Sequence, residues 1–180
     1  MTPLSDTDRD AITEQLGRPP RSVNAVAYRC PCGNPAVTET LPRLADGTPF
    51  PTTYYLTCPK ASSAVGRLEG EGLMREMTQR LAEDPDLAKQ YRAAHEAYLQ
   101  RRAELGEVPE IEGVSAGGMP DRVKCLHVHL AHSLAAGEGV NPFGDETRDA
   151  IGSWWADGAC VNSAPVDADT DSRPDGVASA

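Results

Sequence analysis

The chain has 180 residues, a formal net charge of −10, 39% hydrophobic residues and only 5% aromatic ones. That length is enough for one domain with a real core, filled mainly by Leu, Val, Ala and Met. The acidity works against contact with a phosphate backbone, since only short basic patches such as Arg101-Arg102 and Arg122/Lys124 interrupt it.

In chain order, Ser5 or Asp6 is placed to N-cap a short helix that carries Ile12 and Leu16 and is ended by Gly17 and the Pro19-Pro20 pair. Residues 23–30 read as a strand, Cys30-Pro31-Cys32-Gly33-Asn34-Pro35 as a turn, and residues 36–41 as the returning strand of a hairpin. After a second turn at 46–51, Thr52-Thr53-Tyr54-Tyr55-Leu56-Thr57-Cys58 is rich in β-branched and aromatic residues and reads as a third strand, ended by Pro59. Ser62 or Ser63 can cap a helix to about Leu81, with Val65, Leu68, Met74, Met77 and Leu81 on one face and Gly66, Gly70 and Gly72 weakening its first half. Asp84-Pro85 is a cap followed by a proline at the first helical position, and it opens a helix with Leu87, Tyr91, Ala94, Tyr98 and Leu105 on one face.

Residues 106–118 form a Gly-rich connection and a candidate mobile loop. Residues 119–132 are predicted to form a third helix ending around Ala136-Gly137, and residues 139–144 a turn. Asp145 can cap a last short helix bearing Ile151, Trp154 and Trp155. From about Val161 the chain is rich in Asp, Ser, Pro and Ala and reads as a disordered acidic tail. The prediction is a single α+β domain over 1–160, with a tail over 161–180. In it, a small N-terminal antiparallel sheet of about three strands packs on a C-terminal group of three to four helices.

No basic-then-apolar leader and no apolar run of bilayer-spanning length is present, so a soluble cytoplasmic protein is expected, with no membrane partner. The five cysteines, an odd number, then favour reduced thiols or metal ligands over a disulfide framework.

Cys125, His127, His129 and His132 concentrate one thiol and three of the four histidines within eight residues. On a helix, Val123, Leu126, Leu130 and Leu134 fall within roughly 80° of one another and would face the core. Cys125, His129 and His132 fall within about 60° on the other side, as a polar stripe, and His127 stands at the edge of the apolar face. Cys125 and His132 are too far apart along a straight helix to share one ion. If the first turn is irregular, Cys125 pairs with His127 instead.

The remaining ligands are expected from Cys30 and Cys58, which end the first and third strands at the same end of the sheet. Thiolates with imidazoles suit Zn²⁺, and iron is compatible. The expected site is thus Cys30, Cys58, Cys125, His127, His129 and His132, joining sheet to helix. The plain alternative is that these cysteines are small buried hydrophobes. A further alternative makes Cys125 a catalytic nucleophile, its thiol acidified by a helix N-terminus, Arg122, Lys124 and the histidines.

Weaker candidates have simpler readings. His95 reads as a packed, hydrogen-bonded side chain and Arg29 and Arg43 as salt-bridge partners. Gly117-Gly118-Met119-Pro120 reads as a flexible connection rather than an anion cradle, Trp154-Trp155 as a helix or interface anchor, and Cys160 as incidental.

Several strings occur together: Gln15-Leu-Gly-Arg-Pro-Pro-Arg21, Asp46-Gly-Thr-Pro-Phe-Pro51, Tyr55-Leu-Thr-Cys-Pro59, Gly72-Leu-Met-Arg75, Gly118-Met-Pro-Asp-Arg-Val-Lys-Cys-Leu-His127 and Gly139-Val-Asn-Pro-Phe-Gly-Asp145. With them the chain, over about residues 8 to 150, resembles an uncharacterised bacterial family common in actinobacteria, domain of unknown function 501. The resemblance implies an intracellular bacterial protein and places Lys124 to His127 and Ala131-His132 in the family motif. It implies no activity. The functional expectation is a metal-binding module, with a thiol- or metal-dependent hydrolase using Cys125 or a metal-bound water as the alternative. A metal-free module binding a protein partner through the Trp154/Trp155 helix and the tail is the third reading.

Overall fold

The computed structural model describes residues 1–162; the acidic tail expected beyond that point lies outside the described residues. Val161, expected to begin it, is instead buried.

Helix α1 (Asp6–Leu16) starts at Ser5, whose hydroxyl accepts from the Asp8 N–H while the Asp8 carboxylate reaches back to Ser5, a reciprocal cap. Gly17, at φ +66°, ends it in a left-handed conformation. The sheet has strands β1 (Thr2–Pro3), β2 (Val23–Arg29), β3 (Pro35–Thr40) and β4 (Tyr54–Leu56) in the order β1-β2-β3-β4, every neighbouring pair antiparallel. It therefore has one strand more than the sequence suggests, because the two-residue β1 carries no periodicity to read. β2 and β4 both run against β3 and so parallel to each other, which puts Cys30 and Cys58 at the same end of the sheet.

All six residues of β3 are buried. Helix α1 packs on one face of the sheet and the later helices on the other, so β3 shows no polar–apolar alternation. The run expected as a single helix over 62–81 is two helices, α2 (Pro59–Glu71) and α3 (Leu73–Glu83), broken at Gly72 with φ +93°. Asp84 caps α4 (Pro85–Leu105) by accepting from the N–H groups of Asp86 and Leu87, as its Asp-Pro start predicts. A 3-10 turn follows at Pro109–Ile111.

Helix α5 (Leu126–Ala136) begins seven residues later than the stretch read as helix, and Cys125 is its extended N-cap. It lies at the centre of the domain, against β4, α2 and α6 (Pro142–Ile151). Leu126, Leu130 and Ala131 pack with Tyr54, Met77, Tyr91 and Phe143 in one core. Asn141, not Asp145, caps α6, accepting from the Gly144 N–H; Pro142 takes the first helical position. Trp154 and Trp155 lie beyond its end, edge to face at 4.6 Å.

Helices α5 and α6 meet closely at Gly144. A Cβ there would run into the His129 carbonyl oxygen on α5 and come within 2.7 Å of the Ser133 Cβ. Backbone on both sides cannot rotate away, so Gly144→Ala is expected to destabilise the fold by roughly 2–3 kcal/mol, measured by urea unfolding. An unchanged unfolding midpoint would show that α6 slides freely on α5.

Candidate functional site

The start of α5 and the end of α2 meet at Glu69. One Glu69 carboxylate oxygen accepts from the Leu126 N–H at 2.7 Å and faces His127 Nδ1 at 3.1 Å, so the carboxylate caps α5 and orients the ring together. His127 Nε2 is 3.2 Å from the Ser62 carbonyl oxygen. With an acceptor at each ring nitrogen, the imidazolium form is favoured. Cys125 adds to this: its hydrogen bond with His127 is the main cause that lifts the imidazole to about 9, against the opposing effect of burial, with Glu69 supporting.

For Cys125 itself, burial works against the thiolate, but the neighbouring His127 ring and the Val128 N–H outweigh it and hold the thiol below its ordinary range. A thiolate at the first turn of a helix is also where the exposed N–H groups favour negative charge.

The Glu69, Cys125 and His127 donor atoms all lie within 4.8 Å of one another, and all three residues are half-buried. Among the described residues this is the one group of three His, Cys, Asp or Glu ligands with that spacing. Gly70 and Lys124, the chain neighbours of Glu69 and Cys125, line an open cavity of about 580 Å³ with Arg75 and Arg122, a local basic patch on an acidic chain.

The other predicted ligands are placed elsewhere. His129 and His132 are on the face of α5 away from its leucines, as the projection has it, but that face is buried too, at 0% and 1% exposure. His129 Nε2 meets the Gly117 carbonyl oxygen and the Tyr91 hydroxyl, both at 3.1 Å. His132 stacks on Tyr54 and stands edge-on to Tyr98. Asn141 Nδ2 donates to Nδ1 of both rings, at 3.3 and 3.2 Å, while its oxygen is held by the Gly144 N–H. Both imidazoles are packed in the core and hydrogen-bonded, and burial lowers both to about 4.

Cys30 and Cys58 are fully buried at the sheet end, beside Cys32 and Cys160. Cys58 is the N-cap of α2 and Glu69 lies near its other end, about 16 Å along the axis at 1.5 Å per residue. The sheet cysteines and Cys125 are thus separated by the length of that helix.

The lesser candidates take their plain readings. His95 Nδ1 pairs with the Ser115 hydroxyl at 2.8 Å, Arg29 with Asp8, and Arg43 with Glu110. Glu69 was missed because it stands 58 residues before His127 in a glycine-weakened helix and has no local pattern to mark it. Cys32 had a signal, its place in Cys30-Pro31-Cys32-Gly33.

A family model described as a protein of unknown function, DUF501, matches residues 26–149. The chain belongs to the DUF501 family. The DUF501 match takes in Glu69, Cys125 and His127 as well as Cys30, Cys32 and Cys58, whereas Cys160 falls beyond it. No curated protein and no solved structure matches the chain. No helix among the described residues is long and apolar enough to cross a membrane.

Proposed function

We propose that this DUF501 chain is a metal-binding protein whose Glu69, Cys125 and His127 form a three-ligand site for a zinc-type divalent cation. The observation that carries this reading is the convergence of one carboxylate oxygen, one sulfur and one imidazole nitrogen within 4.8 Å. Carboxylate, thiolate and imidazole are the ordinary ligands of Zn²⁺, and three protein ligands leave a fourth position for water or a substrate atom. The basic groove beside the site suits an anionic substrate or partner group. An ion there would supply Lewis acidity. The chain itself contributes a carboxylate fixed by the Leu126 N–H and a thiolate held at a helix N-terminus.

Elemental analysis of the purified protein tests this directly. Cys125→Ser and Glu69→Gln are each expected to lower bound zinc by one equivalent per chain. Equal metal content in wild type and both variants would remove the reading. Binding must displace the His127 proton, so affinity is expected to rise with pH up to about 9, where that proton is lost unaided.

A second reading has its own support. The Cys125 sulfur contacts His127, and His127 faces Glu69, the order of a thiol nucleophile, its base and an orienting carboxylate. Metal-free protein alkylated at Cys125 at pH 6 many times faster than at its other thiols, with no zinc bound by the wild type, would favour this hydrolase-type reading.

A further inference from the structure

The sheet end opposite Glu69 gathers the other four cysteines. Cys30 follows β2, and its backbone closes a turn with Gly33 N–H donating to the Cys30 carbonyl at 2.8 Å and Cys30 N–H to the Asn34 carbonyl at 2.9 Å. That turn carries Cys32 back beside Cys30, and the two thiols hydrogen-bond. Cys58 follows β4 and caps α2. Its thiol lies beside that of Cys160, and Cys160 also neighbours Cys32. All four sulfurs are joined in one run, Cys30 to Cys32 to Cys160 to Cys58.

Cys160 reaches this place because the segment after α6 is tied down. Lys60 Nζ donates to the carbonyls of Asp157 and Gly158 at 3.2 and 2.8 Å, and Asn34 Nδ2 donates to the Val161 carbonyl at 2.9 Å.

Cys160 gathers side-chain hydrogen-bond donors that a thiol packed as a hydrophobe does not need. Gln15 Nε2 donates to the Cys160 sulfur at 3.3 Å, and Asn34 Nδ2 stands 3.9 Å from it. N–H donors around sulfur are the outer shell of a metal thiolate. The four sulfurs form an open arc rather than a closed tetrahedron, since no three of them are mutually within 4.8 Å. Tetrahedral zinc at Zn–S of ~2.3 Å needs sulfurs about 3.8 Å apart. Closing the arc requires rotation of Cys32 and Cys160, the two half-buried thiols of the four.

We propose that Cys30, Cys32, Cys58 and Cys160 bind one thiophilic divalent cation, zinc by class, as a closed structural site that fastens the segment after α6 to the sheet. Each ligating thiol gives up its proton to solvent, so binding releases up to four protons per ion. The site is independent of the Glu69 cluster.

The test uses the full chain, reduced and stripped of metal, titrated first with Co²⁺ and then with Zn²⁺. The expected result is a strong sulfur-to-cobalt charge-transfer band. Cys32→Ser and Cys160→Ser lose most of that band and one zinc equivalent, and Cys125→Ser keeps most of the band. Gln15→Leu, which leaves every ligand in place, is expected to weaken zinc by about 10-fold. An undiminished band and zinc content in both Cys32→Ser and Cys160→Ser would overturn the proposal. So would the absence of a charge-transfer band in reduced wild type, with Cys58 and Cys160 found joined by mass mapping after exposure to glutathione disulfide. Loss of the equivalent assigned to Cys125 leaves this result untouched, so the two sites fail separately.

Discussion

Replacing Arg101 with alanine is expected to destabilise the protein by about 3 kcal/mol, the lower end of the range for stranding a buried charge. Glu39 is the next-to-last residue of β3, with its side chain at 0% exposure. Arg101 on α4 meets it with Nε at 2.7 Å and Nη2 at 3.0 Å, and Asn24 Nδ2 adds a third donor at 2.7 Å. Removing the guanidinium leaves a carboxylate inside a sheet covered on both faces, with one neutral donor. Water entering through the space Arg101 vacates offsets part of that cost, which is why the lower end is expected. Urea unfolding at pH 7 measures it, and Glu39→Gln in the Arg101→Ala background should recover part of the loss. A change below about 0.5 kcal/mol in the single variant, the size of an ordinary surface substitution, would mean that the Arg101–Glu39 pair does not hold the fold together.

Acid is expected to unfold the protein through His129 and His132. Asn141 presents both hydrogens of its amide to the two Nδ1 atoms, so each ring must arrive with that nitrogen bare. Burial, chiefly, lowers both imidazoles to about 4 from an ordinary value of 6.5. The unfolded chain therefore binds more protons than the native one between pH 6.5 and 4. The stabilisation is fully present above 6.5, falls as pH drops through that window, and levels off below 4. At 1.36 kcal/mol per unit the loss is on the order of 3 kcal/mol for each ring. Unfolding free energies at pH 7 and pH 4.5 test the prediction, with His129→Gln and His132→Gln each expected to flatten the slope whatever they cost at neutral pH. His127 has the opposite sign. Its imidazole is raised to about 9, so its contribution is complete below 6.5 and is lost as pH climbs through 9.

Those two histidines mark where sequence reasoning stopped short. The projection of α5 separates its leucines from His129 and His132, and that separation holds, whereas Cys125 leaves the stripe as the extended N-cap. A projection cannot say that a second layer covers the other face, and here Tyr91, Tyr98, Tyr54 and Asn141 cover it. The local signals were sufficient elsewhere. Ser5 and Asp84-Pro85 open helices where they should, Gly17 closes one, and the hairpin around Cys30 forms as read. Gly72 was legible only as a weakness and proved to be a break.

The candidate site was half legible. Cys125 with His127 follows from the irregular start of α5, which the spacing allowed for. Glu69 and Cys160 arrive through tertiary packing from 58 and 126 residues away, distances over which no local pattern extends. Cys160 in particular looked like the edge of a tail, because the ties made by Lys60 and Asn34 are to backbone carbonyls and leave no trace in side-chain pattern.

Helix α2 has Cys58 as its cap and Glu69 near its other end. Its roughly 16 Å between them is about twice the Debye length at physiological ionic strength. The two ends share no partner, so their contributions to stability are expected to add. The rod fixes how the sheet end and the α5 start are oriented. The fold thus transmits geometry along α2.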